Sequence, residues 1–157
     1  MSAPVPRLGI VTNDFPPRPG GIQQYVGSLV AAYSGVVTVL APRDGPAATP
    51  ATVIRHRRRF LWPTPKVLDW VRAAHHTATW PTSVCSGSVI LAAAGLLTGK
   101  RATSHWIVVP MLKPFGVTPV SDERIVNEGD IVTCAGVSAG IDLAMWLAGQ
   151  ISGEGRA

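Results

Sequence analysis

The sequence predicts the α/β class: three layers, with a mostly parallel central sheet between helices. Short β-branched apolar runs alternate with segments whose apolar residues recur at helical spacing. Glycine and proline, 16 and 14 of 157 residues, punctuate the joins. This length suits one domain, with enough chain to cover a sheet on both faces.

Leu8 to Val11 reads as the first strand. Asn13-Asp14-Phe15-Pro16-Pro17-Arg18-Pro19-Gly20-Gly21 follows as a loop, because proline lacks the N–H that a helix needs. Ile22, Val26, Leu29 and Val30 then predict a helix from Ile22 to Tyr33. Val36 to Leu40 and Ala51 to Arg55 are strands, with a surface link over Gly45 to Pro50. Phe60 to Pro65 is loop, and Lys66 to Thr77 is a helix with Val67, Trp70, Val71 and Ala74 on one side. Thr82 to Val84 is the central strand, and Ser88 to Leu97 is a helix of small apolar residues. Ile107 to Leu112 fits strand and helix alike. Val117 to Pro119 and Arg124 to Val126 are short strands, and Asn127-Glu128-Gly129-Asp130 turns into the run Ile131 to Cys134. Gly136 to Gly140 is a second glycine turn, before a closing helix from Ile141 to Ile151. Asp142 sits in its first turn, where an acid suits the dipole.

The formal charge of +5 is unevenly placed: residues 1–66 carry +6 and residues 67–157 carry −1. Arg55 and the run Arg57-Arg58-Arg59 supply much of the excess, and read as a solvated edge beside a loop, with a nucleic-acid arm or phosphate patch as the alternative. No basic helix or zinc spacing supports nucleic-acid binding. No apolar run reaches membrane-spanning length, and Met1 to Arg7 lacks the apolar core of a signal peptide. Two cysteines make no disulfide framework, so a cytoplasmic protein with reduced thiols is expected.

The strongest chemical signal is Pro81-Thr82-Ser83-Val84-Cys85-Ser86-Gly87, which leads from a strand into a helix. A thiol at such a turn is lifted out of the sheet and faces free helix N–H groups, which favour its thiolate and any negative charge that develops beside it. The competing reading is a buried cysteine in a tight turn. His105 is a general base by type, or a structural residue beside Trp106. Cys134, in an apolar run, reads as a core thiol, and Asp142 as a structural cap. His75 and His76 lie on or near the exposed side of their helix, with no acid or cysteine at metal spacing. No metal and no cofactor are expected.

From about Lys66 to Gly153 the chain resembles the DJ-1/PfpI family, nearest in look to isonitrile hydratases and to the amidase-like domain of AraC-type regulators. The matching text is SVCSGSVILAAAGLLTGKRATSHW and RIVNEGDIVTCAGVSAGIDLAMWLA. The resemblance implies a Rossmann-like, flavodoxin-like fold, Cys85 as nucleophile and Ser86 as the hydroxyl beside it. Some members place a histidine directly after the cysteine; Ser86 stands there, which argues against a protease-like triad. The family's acid, close to the thiol, has no direct counterpart, and Asp14 takes its place if both halves share one sheet. A homodimer is also implied. The regulators continue into helix-turn-helix segments, whereas this sequence ends at Ala157, so DNA binding is not expected.

Residues 7 to about 66 resemble instead the start of GT-B mannosyltransferases, through RLGIVTNDFPPRPGGIQQYVGSLV and TVIRHRRRFLWPTP. Gly20 and Gly21, before a helix, suit weak binding of a phosphate or another anion. The second domain of such a transferase has no room here. The expectation is therefore one α/β domain over 1–157, of hybrid origin, with a seam near 63–68. A natural fusion, an engineered recombinant and a gene-prediction artefact all fit. Three functions compete: a cysteine-dependent hydratase or amidohydrolase for a small isonitrile or amide, a non-catalytic ligand-sensing domain or inactive hybrid, and a truncated sugar-nucleotide binder.

Overall fold

The computed structural model describes residues 5–46, 48–56 and 63–153. The basic run Arg57-Arg58-Arg59 and the loop residues Phe60, Leu61 and Trp62 fall outside these. The chain divides into two compact units, Met1–Phe60 and Leu61–Ala157.

In the first unit, β1 (Leu8–Val11), β2 (Val37–Pro42) and β3 (Thr52–His56) form a parallel sheet in that order. Leu8 pairs with Val37, and Val39 with Val53. The middle strand, β2, is buried at every position but Thr38, which is why its sequence is apolar almost throughout. Helix α1 (Gly21–Ala32) contributes Val30 and Val26 to a core with Phe15, Val37, Val39 and Ala41. Phe15 anchors the proline loop; full burial of such a side chain stabilises by roughly 1.5–3 kcal/mol. The Arg55 guanidinium stands 5.7 Å over its ring, and donates to the carbonyls of Pro42 (2.8 Å) and Pro16 (3.2 Å).

In the second unit, β8 (Val132–Cys134) is the centre of a three-stranded sheet, parallel to β4 (Thr82–Val84) and antiparallel to β7 (Ile125–Asn127). All three β8 residues are buried, as a central strand requires. A two-residue parallel pair, β5 (Arg101–Ala102) with β6 (Thr118–Pro119), forms a third sheet. Helices α2 (Pro65–His75), α3 (Gly87–Ala93) and α4 (Ala139–Ser152) complete the unit. Ala139 and Leu143 of α4 pack on Val132 and Cys134, with Trp146 alongside. Trp146 meets Trp80 edge-on at 5.4 Å. Strands thus alternate with helices and pair mostly in parallel, in three sheets among the described residues.

The structure departs from the sequence reading at several points; β5 is one, having no counterpart there. Helix α3 stops at Ala93 rather than Leu97. The Gly95 N–H bonds to the Ala92 carbonyl and the Leu96 N–H to the Leu91 carbonyl. That is a Schellman ending, which needs a left-handed residue, and Gly95 has φ 80°. The ambiguous run near Ile107 to Leu112 forms a 3-10 helix over Val109–Phe115. Pro110 and Pro114 remove two N–H donors four residues apart, so no regular α ladder can form there. His75 is half-buried rather than on the exposed side, with Nε2 3.9 Å from Asp130 Oδ2.

Candidate active site

Strand β4 ends at Val84, and the chain turns sharply through Cys85, at φ 57° and so left-handed, before α3 begins at Gly87. A non-glycine residue in that region costs on the order of 1–3 kcal/mol, and neighbouring structure must hold it there. Two hydrogen bonds do so. The Cys85 N–H donates to the Ala135 carbonyl at 3.3 Å, and the buried Ser104 hydroxyl donates to the Cys85 carbonyl at 2.8 Å. The thiol is free and partly exposed. Ser86, next along, precedes the helix and makes no side-chain capping bond to it.

The parallel partner strand ends in the same way. β8 runs into Ala135, Gly136 and Val137, and Val137 has φ 53° before α4. Val137 is β-branched, for which a positive φ is a marked outlier, and it is 86% exposed. Both turns lie at the C-terminal ends of parallel strands, where open α/β sheets form their sites.

The segment after β5 supplies the third side. The Thr103 N–H donates to Thr133 Oγ1 at 3.0 Å in the interior, Ser104 holds the cysteine turn, and His105 emerges beside Gly136. A Cβ built on Gly136 would lie 2.6 Å from His105 Cδ2 and 3.6 Å from Cys85 Sγ. The imidazole and the thiol therefore flank one backbone point. His105 Nδ1 accepts a hydrogen bond from the Ile107 N–H at 3.3 Å, so the neutral ring carries its proton on Nε2. A cavity of about 190 Å³ opens here, lined by His105, Trp106, Val109, Ser121, Gly136 and Val137 among others. Its lining contains no Lys, Arg, Asp or Glu.

The second thiol differs. Cys134 is wholly buried in the core, and burial pushes it up to about 11. Asp142 lies in the first turn of α4 and accepts from Arg124 Nε at 2.6 Å, while Arg124 also donates to Ser138 at 3.1 Å. Asp14 belongs to the first unit, where its Oδ1 accepts from Gln23 Nε2 at 2.8 Å. Cys85, Ser86 and His105 all belong to the second. Gly21 opens α1 with free space around its Cα, whereas a Cβ on Gly20 would strike the Gln23 amide at 2.2 Å. Among the described residues no three His, Cys, Asp or Glu side chains are grouped to hold a metal ion. No helix among them is long and apolar enough to cross a membrane.

The sequence reading missed Thr103, Ser104, Trp106, Gly136 and Val137 as parts of this site. The polar pair Thr103-Ser104, buried beside a histidine, is the signal that marks them.

The isonitrile hydratase of Pseudomonas putida is 47% identical over 88 residues, covering 56% of this chain and 38% of that protein. A THiJ/PfpI family protein from Pseudomonas syringae superposes with a TM-score of 0.70 at 25% identity, over 92% of this chain and 68% of that one. Its likeness places the fold in the α/β, flavodoxin-like class. A GDP-mannose-dependent mannosyltransferase of Mycobacterium tuberculosis is 32% identical over 151 residues, 81% of this chain but 37% of that protein, a distant relationship. The chain thus spans little more than a third of the length of either of these two curated relatives. The family model described as DJ-1/PfpI matches residues 56–150, and with the cysteine turn and its fold the chain belongs to the DJ-1/PfpI family.

Proposed function

We propose that this chain carries a cysteine-dependent hydratase or amidohydrolase site for a small isonitrile- or amide-type substrate. The observation that carries the reading is Cys85 in a left-handed turn, sharing one backbone neighbour, Gly136, with the His105 ring; His105 and Gly136, though not the thiol itself, line a small cavity. The 47% identity to an isonitrile hydratase supports the substrate class.

With an isonitrile, Cys85 Sγ forms a bond to the terminal carbon, and the proton that leaves the thiol passes to that carbon to give a thioimidate. Water then adds to the same carbon while the nitrogen is protonated. The carbon–sulfur bond breaks, the thiolate leaves, and an N-substituted formamide departs; the net change is addition of one water. His105 donates a hydrogen bond from Nε2–H, the tautomer that its bond from Ile107 selects, and so steadies the charge that builds on the reacting atoms while keeping its own proton. The uncapped Ser86 hydroxyl orients the water. With an amide, the same thiol attacks the carbonyl, the amine leaves, and water releases the acid.

The test is hydration of n-butyl isonitrile, with the formamide followed by mass spectrometry. Cys85→Ala is expected to abolish turnover and Ser86→Ala to slow it. Unchanged turnover in Cys85→Ala removes the proposal.

A further inference from the structure

We infer that Gly136 is a positioning residue for His105: the side chain it lacks leaves the space in which the imidazole stands beside Cys85. The inference rests on the reading of Cys85 as the nucleophile and deepens it.

A Cβ at Gly136 would sit 2.6 Å from His105 Cδ2 and 3.4 Å from its Cγ, so the ring would have to move. The same Cβ would sit 3.6 Å from Cys85 Sγ, an ordinary van der Waals contact. Gly136 is not among the residues with positive φ, so alanine suits its backbone. One methyl group at this point therefore displaces the histidine and spares the thiol.

The ring has little freedom to yield. On one edge Nδ1 accepts from the Ile107 N–H at 3.3 Å. On the other, Cδ2, which adjoins Nε2, faces the bare Gly136 Cα. The main chain is held as well, since the His105 carbonyl accepts from the Val108 N–H at 2.7 Å and the Val109 N–H at 3.0 Å. Moving the ring away from position 136 changes its contact with Ile107, and with it the bond that keeps the proton on Nε2. Gly136 thus sets both where the ring stands and which nitrogen donates, and His105 offers the substrate a hydrogen-bond donor rather than taking a proton from the thiol.

The experiment is a cycle of wild type, Gly136→Ala, His105→Ala and the double variant. It is read three ways: n-butyl isonitrile hydration, ¹⁵N spectra of the His105 ring, and iodoacetamide labelling of Cys85. Gly136→Ala is expected to lower kcat on the order of 100-fold, the scale of a lost hydrogen-bond donor to the transition state, with KM little changed. The double variant is expected to be no slower than His105→Ala alone, because the clashing ring is gone. The Nε2–H signature should be lost in Gly136→Ala, while Cys85 still labels.

Losses that multiply in the double variant overturn the inference. So does a Gly136→Ala ring spectrum like that of wild type. If Gly136→Ala fails to fold, the double variant must fold as His105→Ala does; failure of both also overturns it. Absent turnover together with an unreactive Cys85 sinks the nucleophile reading instead, and the ring spectrum alone then decides the role of Gly136.

Discussion

The backbone N–H of Cys85 donates to the Ala135 carbonyl at 3.3 Å, and that bond ties two strand-to-helix turns together. One turn follows β4 and the other follows β8, and Val84 pairs with Cys134 one step earlier in the parallel register. Each turn holds a non-glycine residue at positive φ, Cys85 in the first and Val137 in the second. The bond fixes the thiol's backbone against the turn that carries Gly136 and Val137.

The two thiols should separate cleanly under alkylation. Only the thiolate reacts. With Cys134 raised to about 11 by burial, only about one in a thousand is ionised at pH 8, and the residue is sealed in the core. Iodoacetamide at pH 8 is expected to mark Cys85 alone in the folded protein and both cysteines in denaturant. Peptide mapping by mass spectrometry reads this directly. Equal marking of Cys134 in the folded protein would contradict the assigned burial.

Val137→Gly is expected to stabilise the fold by about 1 kcal/mol, since glycine escapes the left-handed penalty but carries more unfolded-state entropy. The substitution also removes a wall of the cavity. Urea denaturation should show the gain, and hydration assays a weaker preference among small substrates. A loss of stability would mean that packing around Val137 outweighs its backbone strain.

Burial holds the His56 side chain below the ordinary histidine value of 6.5. In the unfolded chain the ring takes its proton near 6.5; in the folded chain it does so at lower pH. The native state binds fewer protons in that window, so the contribution of His56 is complete above 6.5 and falls as pH drops through the folded value. Wild type should lose stability between pH 7 and 5 more steeply than His56→Gln, by urea titration at each pH. Parallel curves would remove His56 as the cause.

Asp14→Asn tests the acid that the sequence offered for the site. Its Oδ1 already accepts from Gln23, and asparagine can keep an acceptor there. Stability is expected to change by less than about 0.5 kcal/mol and turnover by less than about threefold, as for a substitution outside the chemistry. A hundredfold loss would instead make the carboxylate part of the reaction.

Much of the fold was legible because its signals are local. The strands Leu8–Val11 and Thr82–Val84 are short apolar or β-branched runs, and Cys85 stood out because a thiol between a strand and a helix has few structural reasons to be there. The early end of α3 was also written locally, in Gly95, but uniformly apolar neighbours masked it. β5 was not legible, although its partner β6 falls within the run Val117 to Pro119 read as a strand, since a two-residue strand exists only through its pairing with residues seventeen positions away. The cavity wall failed for the same reason. His105 and Gly136 are far apart in sequence, and only the packing of the segment after β5 against β8 makes them neighbours.

The left-handed valine at the cavity mouth has a consequence for laboratory evolution. Selection for heat resistance alone would push position 137 towards glycine or asparagine, which relax the backbone there. Lineages hardened in that way would lose the wall that the valine gives the cavity.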